Sequence, residues 1–223
     1  MPIWRKDILL HVGNDIVDLL AGRTAGKSAD QRFVARVLTE SEKHGLERAE
    51  SRDTYLWALW AAKETAYKAI AKVFPGIASW PGKYEVIPDR AILGESCGAV
   101  VQTPADPVRV VFFINKDYIH CLGGLPGEVF PDSIVRGVEE IASCTGAREH
   151  ARQESAVARR AAVRGVAECM NLEESDIEIK RLRRNGRLGP PMVYIRGKVG
   201  PVDLSLSHHG RFAAFAFIRN KEQ

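Results

Sequence analysis

Val202-Asp203-Leu204-Ser205-Leu206-Ser207-His208-His209-Gly210-Arg211-Phe212 alternates apolar and polar residues up to a histidine pair and a glycine. That period of two predicts a strand over 202–207, with Val202, Leu204 and Leu206 on its inner face. Gly210 then turns the chain into a second strand over 212–218. The same cadence occurs earlier: Val108, Val110, Phe112 and Tyr118 fall on Val202, Leu204, Leu206 and Phe212 at an offset of 94 residues. Tyr84-Glu85-Val86 falls on Ile177-Glu178-Ile179, and a helical pattern over 60–72 falls on 154–166. A repeat of pattern rather than identity predicts two similar units in one chain. The expected fold class is α+β. Two similar α+β modules form a pseudo-dimer, each a small antiparallel sheet packed against a long helix, divided as 1–125 and 126–223. One element breaks the repeat: no second copy of the strand bearing Asp15 is visible.

Around this frame, 8–19 reads as a buried strand and 21–30 as a loop. A short helix is expected over 32–38. Thr39-x-x-Glu42 has capping-box spacing and starts another helix. The pattern over 54–73 is strongly helical, and Pro75-Gly76 stops it. Strands are expected near 83–88, 98–103, 108–114 and 117–122. Three glycines and two prolines over 122–132 read as a linker. Beyond it, helices are expected over 133–143 and 154–171, strands over 177–179 and 192–196, and a turn over 185–191.

The 223 residues are 45% hydrophobic and 27% charged, as in a soluble globular protein. No apolar run reaches the roughly 18 residues a membrane span needs. The apolar stretch at 8–12 is too short for a signal-peptide core, so a cytoplasmic protein with no membrane partner is expected. The four cysteines lie far apart with no C-x-x-C pair, which argues against a zinc site or a disulfide framework. The net charge is +4, and arginines crowd 148–164 and 180–187. Such stretches are either a solvated basic face or a surface for an anion: a polyphosphate ligand, an acidic protein or nucleic acid.

Three segments carry chemistry. In Trp60-Ala61-Ala62-Lys63-Glu64-Thr65-Ala66-Tyr67-Lys68, the residues Trp60, Glu64 and Lys68 share a helix face. An exposed Glu–Lys pair is the plain reading. Trp60 beside it suggests partial burial, and a buried carboxylate needs a cation, either lysine or metal. In Val12-Gly13-Asn14-Asp15-Ile16-Val17-Asp18, Asp15 is either a turn-capping residue beside Gly13 or a second carboxylate meeting Glu64. Two carboxylates that leave positions to water and phosphate oxygens describe a magnesium site. At 207–208, a hydroxyl and an imidazole at a strand end could hold a phosphate. Ala21-x-x-x-x-Gly26-Lys27-Ser28 resembles a P-loop, but no solid helix follows it and the chain lacks alternating βα units.

Gly13-x-Asp15 and Trp60-x-x-Lys63-Glu64-x-x-x-Lys68 together resemble the signature of the 4′-phosphopantetheinyl transferase superfamily. Arg32 to Glu42, and Asp15-Ile16-Val17-Asp18-Leu19, resemble its holo-acyl-carrier-protein synthase branch. Ser205-Leu206-Ser207-His208-His209-Gly210-Arg211-Phe212 is similar to the serine–histidine strand of the larger branch, typified by the surfactin-synthetase activator. Two differences stand out. In the larger branch the serine–histidine half comes first, and Val17 stands where that branch has a further acid.

The resemblance implies magnesium-dependent transfer of 4′-phosphopantetheine from coenzyme A to a serine of an acyl or peptidyl carrier protein, releasing adenosine 3′,5′-bisphosphate. It implies metal ligation by Asp15 and Glu64, with water in place of the acid missing at Val17. Glu64 and Lys68 would be catalytic, Lys68 stabilising phosphate charge or helping to deprotonate the serine. Lys63, Ser207, His208, Arg152 and Ser155 would contact the phosphates of coenzyme A. A monomer with one site between its modules, binding no nucleic acid, is expected. The rival reading is a basic nucleic-acid-binding protein, which explains the arginines but not Asp15 and Glu64.

Overall fold

Strand β1 (His11–Asp18) pairs antiparallel with β5 (Tyr118–Leu125) at one end of a five-stranded sheet. The sheet continues through β4 (Val108–Ile114) and β3 (Cys97–Gln102) to β2 (Glu85–Pro88). The computed structural model describes residues 10–89, 97–125, 133–142, 147–184 and 186–220, without the side chains of 147–151, 184 and 187. Two short helices, α1 (Gln31–Val37) and α2 (Glu40–Arg48), precede the long α3 (Arg52–Val73). The capping box forms as expected: Thr39 accepts from the Glu42 N–H, and the Glu42 carboxylate accepts from the Thr39 N–H. Helix α3 buries Leu56, Leu59, Ala62, Ala66 and Ile70 against Val110, Phe112, Ile119 and Cys121 of the sheet.

The second sheet runs β6 (Val135–Glu140), β10 (Phe212–Arg219), β9 (Lys198–His209), β8 (Arg187–Ile195) and β7 (Ile177–Arg184). Helix α4 (Ala147–Met170) covers it, with Ala161, Ala162 and Val166 packed on Leu204, Phe215 and Phe217. Each sheet turns its other face to its counterpart. Val12, Val111 and Leu122 meet Ala216 and Ile218, and Ile16 meets Phe212 and Ala214. The two modules are therefore stacked helix, sheet, sheet, helix, with β1 lying against β9 and β10 at the seam.

Three expectations about element type or bounds are corrected. The segment expected as a helix over 133–143 is the edge strand β6, paired residue by residue with β10. Ile134, Val138 and Ile141 mimic a helical stripe, but pairing with β10 outweighs that local pattern. The stretch expected as a turn over 185–191 belongs largely to β8. The hairpin turn contains Gly186 at φ +77°, and Pro191 already pairs with Arg181. Pairing of β8 with β9 begins only at Met192, so Pro190 and Pro191 lie where β8 has a neighbour on one side and need no donor on the other. The linker read over 122–132 starts later, because β5 runs to Leu125; residues 126–132 lie outside the described set.

Strand β6 is also the copy of β1 that the sequence hid. It flanks β10 as β1 flanks β5. Asp15 lies opposite Cys121, and Phe215, the counterpart of Cys121 at the 94-residue offset, lies opposite Gly137. Gly137 thus occupies the place of Asp15 in the second module. No helix among the described residues is long and apolar enough to cross a membrane.

Gly13 allows α3 to sit directly on β1. A Cβ there would overlap the carbonyl oxygen of Thr65, a backbone atom that cannot swing aside. Gly13→Ala is expected to destabilise the protein by roughly 3 kcal/mol or more. Gly22→Ala, with open space around it, should stay within about 0.5 kcal/mol. Denaturant unfolding of the two variants checks this.

Candidate active site

Alternation along β1 sends Asp15 to the α3 face and Asn14 to the seam. Lys68 Nζ donates to Asp15 Oδ1 at 2.7 Å and to the Asn14 carbonyl at 2.9 Å. Glu64 lies one turn earlier on α3. Burial pushes its carboxyl up to about 7, the Asp15 charge adds to the rise, and Lys68 opposes it. Asp15, Glu64 and Lys68 therefore come together as expected, with Trp60 on the same row stacked on Phe33. Lys72 continues that row and is buried at the seam. Its ammonium donates to the carbonyls of Val12 (2.7 Å) and Leu204 (2.9 Å) and ion-pairs with Asp203.

The polar residues of β9 that alternate with Leu204 and Leu206 do not face solvent. They seal the free edge of β1. The N–H groups of Val12, Asn14 and Asp18 donate to Asp203 Oδ1 (2.8 Å), Ser205 Oγ (3.0 Å) and His209 Nδ1 (3.0 Å). Ser207 belongs to this row. It is 5% exposed, and its Oγ accepts from Asn14 Nδ2 at 3.1 Å. His208 points the opposite way, its Nδ1 lying 3.3 Å from Glu154 on α4. Burial pushes the His208 pKa below the ordinary imidazole value, against the pull of Glu154, and Lys68 deepens the drop while Asp15 opposes it. His208 is thus electrostatically coupled to the Asp15–Lys68 pair.

Lys63 does not join this group. It is 2% exposed, and its Nζ donates to Glu42 (2.6 Å) and to the Val37 carbonyl (2.7 Å). The expected phosphate contact is replaced by a buried ion pair that anchors α2 on α3, because one position from Glu64 lies about 100° around the helix. Arg152 is exposed and Ser155 half-buried, on either side of Glu154; no bond of theirs reaches Asp15, Glu64 or Lys68. The P-loop-like turn takes an internal anion: Gly26 and Ser28 donate their N–H groups to Asp53. Arg164 and Lys180, from the basic stretches, pair with Glu139 and Glu178.

A cleft of about 690 Å³ opens between the modules beside Lys68. Lys68, Lys72 and Arg181 make it basic, and Ile77, Leu188 and Met192 are among its apolar walls. The sequence reading missed Lys72, Asp203 and Asn14. Lys72 could have been found by extending the four-residue step beyond Lys68.

The donor set suits magnesium. Among the described residues no three His, Cys, Asp or Glu side chains form a ready metal set. Val17, 3% exposed in the α3-side core, supplies no oxygen. The Asp15 charge is close enough to raise the Glu64 carboxyl, and the Lys68 ammonium already pairs with Asp15. Magnesium commonly takes one or two carboxylates and fills its other positions with water and phosphate.

Because Glu64 is raised above its ordinary 4.5, the folded protein binds that proton more tightly than the unfolded chain. The resulting destabilisation is absent below about pH 4.5, grows up to about 7 and stays constant above. In metal-free buffer at pH 8, Glu64→Gln should therefore stabilise the fold by on the order of 2 kcal/mol, with almost no effect at pH 4.5. Added magnesium should recover part of that difference in the wild type and none in the variant, as read by unfolding midpoints.

The comparisons with known proteins agree with the motifs. The family model for the 4′-phosphopantetheinyl transferase superfamily matches residues 11–96. A mitochondrial holo-[acyl-carrier-protein] synthase of Eremothecium gossypii is 35% identical over 69 residues. That match covers 28% of this chain and 40% of the relative's length. The matched stretch, residues 11–96, carries Gly13-x-Asp15 and the Lys63-Glu64-x-x-x-Lys68 helix and is similar to the 4′-phosphopantetheinyl transferase superfamily.

Proposed function

We propose that this protein transfers the 4′-phosphopantetheine arm of coenzyme A to a serine of an acyl or peptidyl carrier protein. The observation that carries the reading is the meeting of Asp15, Glu64 and Lys68 beside a basic cleft between the modules. The serine hydroxyl attacks the pantetheine-side phosphorus and loses its proton to solvent, the bond to the bridging pyrophosphate oxygen breaks, and adenosine 3′,5′-bisphosphate leaves. Magnesium held by Asp15 and Glu64 would neutralise the pyrophosphate and orient it for in-line displacement. Lys68, already paired with Asp15, acts as a fixed cation toward the charge developing on the phosphoryl group. Arg181 adds positive potential along the cleft, and His208, which feels the charges of Asp15 and Lys68, would contact a phosphate of coenzyme A.

One site per chain follows from the repeat. Where α3 carries Lys63, Glu64 and Lys68, α4 carries Val157, Ala158 and Ala162, and Gly137 stands for Asp15. At these positions the second module has no carboxylate pair, which supports a monomer whose two modules complete one site.

Asp15→Ala and Glu64→Ala are each expected to lower transfer at least a thousandfold while leaving the fold intact. Mass spectrometry of apo carrier proteins incubated with coenzyme A and magnesium reads this as loss of the added arm. Normal magnesium-dependent turnover in either variant would remove the metal assignment.

His208 and His209 should separate binding from stability. His209 accepts from the Asp18 N–H and lies beside Trp57, so His209→Ala should cost about 1–2 kcal/mol of stability with coenzyme A affinity unchanged. His208→Ala should weaken coenzyme A binding about tenfold and leave stability nearly unaltered. Titration calorimetry and thermal unfolding distinguish the two outcomes.

A further inference from the structure

We infer that Asn14 is a positioning residue that sets the spacing between the carboxylate strand β1 and the histidine strand β9; this rests on the transferase reading. Asn14 is wholly buried at the seam, where an apolar residue would be the cheaper choice. Each of its polar groups but one serves a different part of the site. Its N–H donates to Ser205 Oγ (3.0 Å), and its carbonyl accepts from Lys68 Nζ (2.9 Å). Its side-chain Nδ2 donates to Ser207 Oγ (3.1 Å) and lies 3.2 Å from His120 Nε2.

The neighbours in sequence make this arrangement functional. Asp15 follows Asn14 on β1, and His208 follows Ser207 on β9. The Asn14–Ser207 bond therefore ties together the strand positions next to Asp15 and His208. Both partners sit on the seam side of their strands, while Asp15 and His208 leave on other faces. Sliding β9 by one residue would exchange the seam and α4 faces of the strand.

His120 is fully buried on β5, and burial pushes its pKa to about 3, so the ring is neutral. In the tautomer protonated on Nδ1, its Nε2 accepts one hydrogen of Asn14 Nδ2, and the second hydrogen of the same NH₂ group goes to Ser207.

The test is a double-mutant cycle of Asn14→Ala and Ser207→Ala, read by the KM for coenzyme A, kcat and unfolding, at temperatures well below each melting transition. Each single variant is expected to raise KM about tenfold with kcat changed less than threefold. The double variant should be no worse than the more impaired single, because both substitutions remove the same Asn14–Ser207 bond. A merely structural role would lower stability and leave KM unchanged, which overturns the inference. Additive KM losses also overturn it, since Ser207 would then contact coenzyme A independently of Asn14. If Asn14→Ala does not fold, Asn14→Ser, too short to reach Ser207, takes its place in the cycle. Wild-type protein that neither binds coenzyme A nor modifies any carrier protein would instead remove the transferase reading, and the positioning role with it. A wild type that works and an N14A variant with unaltered KM sinks the positioning role alone.

Discussion

The N–H groups on the outer edge of β1 have no strand to bond to. Such an edge is a template for unwanted pairing unless it is covered. Here it is covered by side chains rather than by backbone. Asp203, Ser205 and His209 accept from Val12, Asn14 and Asp18 in matching order, so the two strands run alongside each other at a constant step. Asp203 is further held by Lys72 and His11, and Asp18 by Arg211 at the opposite end. Each neutral bond is worth only about 1 kcal/mol. Removing one partner of a buried ion pair such as Lys72–Asp203 costs on the order of 3–5 kcal/mol. The seam is therefore a register device as much as a source of stability.

With β9 locked to β1, residues of both modules come together around the Asp15–Lys68 pair. The first contributes Asp15 from its edge strand and Glu64 and Lys68 from its helix. The second contributes His208, Glu154 and Arg181. The row Trp60, Glu64, Lys68, Lys72 on α3 passes from an aromatic anchor through the carboxylate and the cation to the seam. One helix face thus couples chemistry to module docking, and Gly13 allows that helix to approach β1 closely enough.

The duplication leaves a clear trace of divergence. Both modules keep the five-strand order with the early strand at the edge. The second has exchanged the Asp15 position for Gly137 and filled the space above it with the Phe215 ring, which also lies against Gly165 of α4. A polar, ion-paired helix–strand contact in one module is an aromatic packing contact in the other.

The sequence by itself determined the two-module plan, the capping box at Thr39 and Glu42, and the motif pair at Asp15 and Glu64–Lys68. These are local features: period, cap spacing and helix faces depend on residues a few positions apart. It did not determine β6, because a short edge strand takes its conformation from β10, more than seventy positions away. It misplaced Lys63, whose partner Glu42 comes from another helix. The end of the polar face of β9 read as phosphate-binding, since alternation reports two faces without saying what meets each one. Only the tertiary structure decided that this face meets an open strand edge, whose unpaired N–H groups must be satisfied.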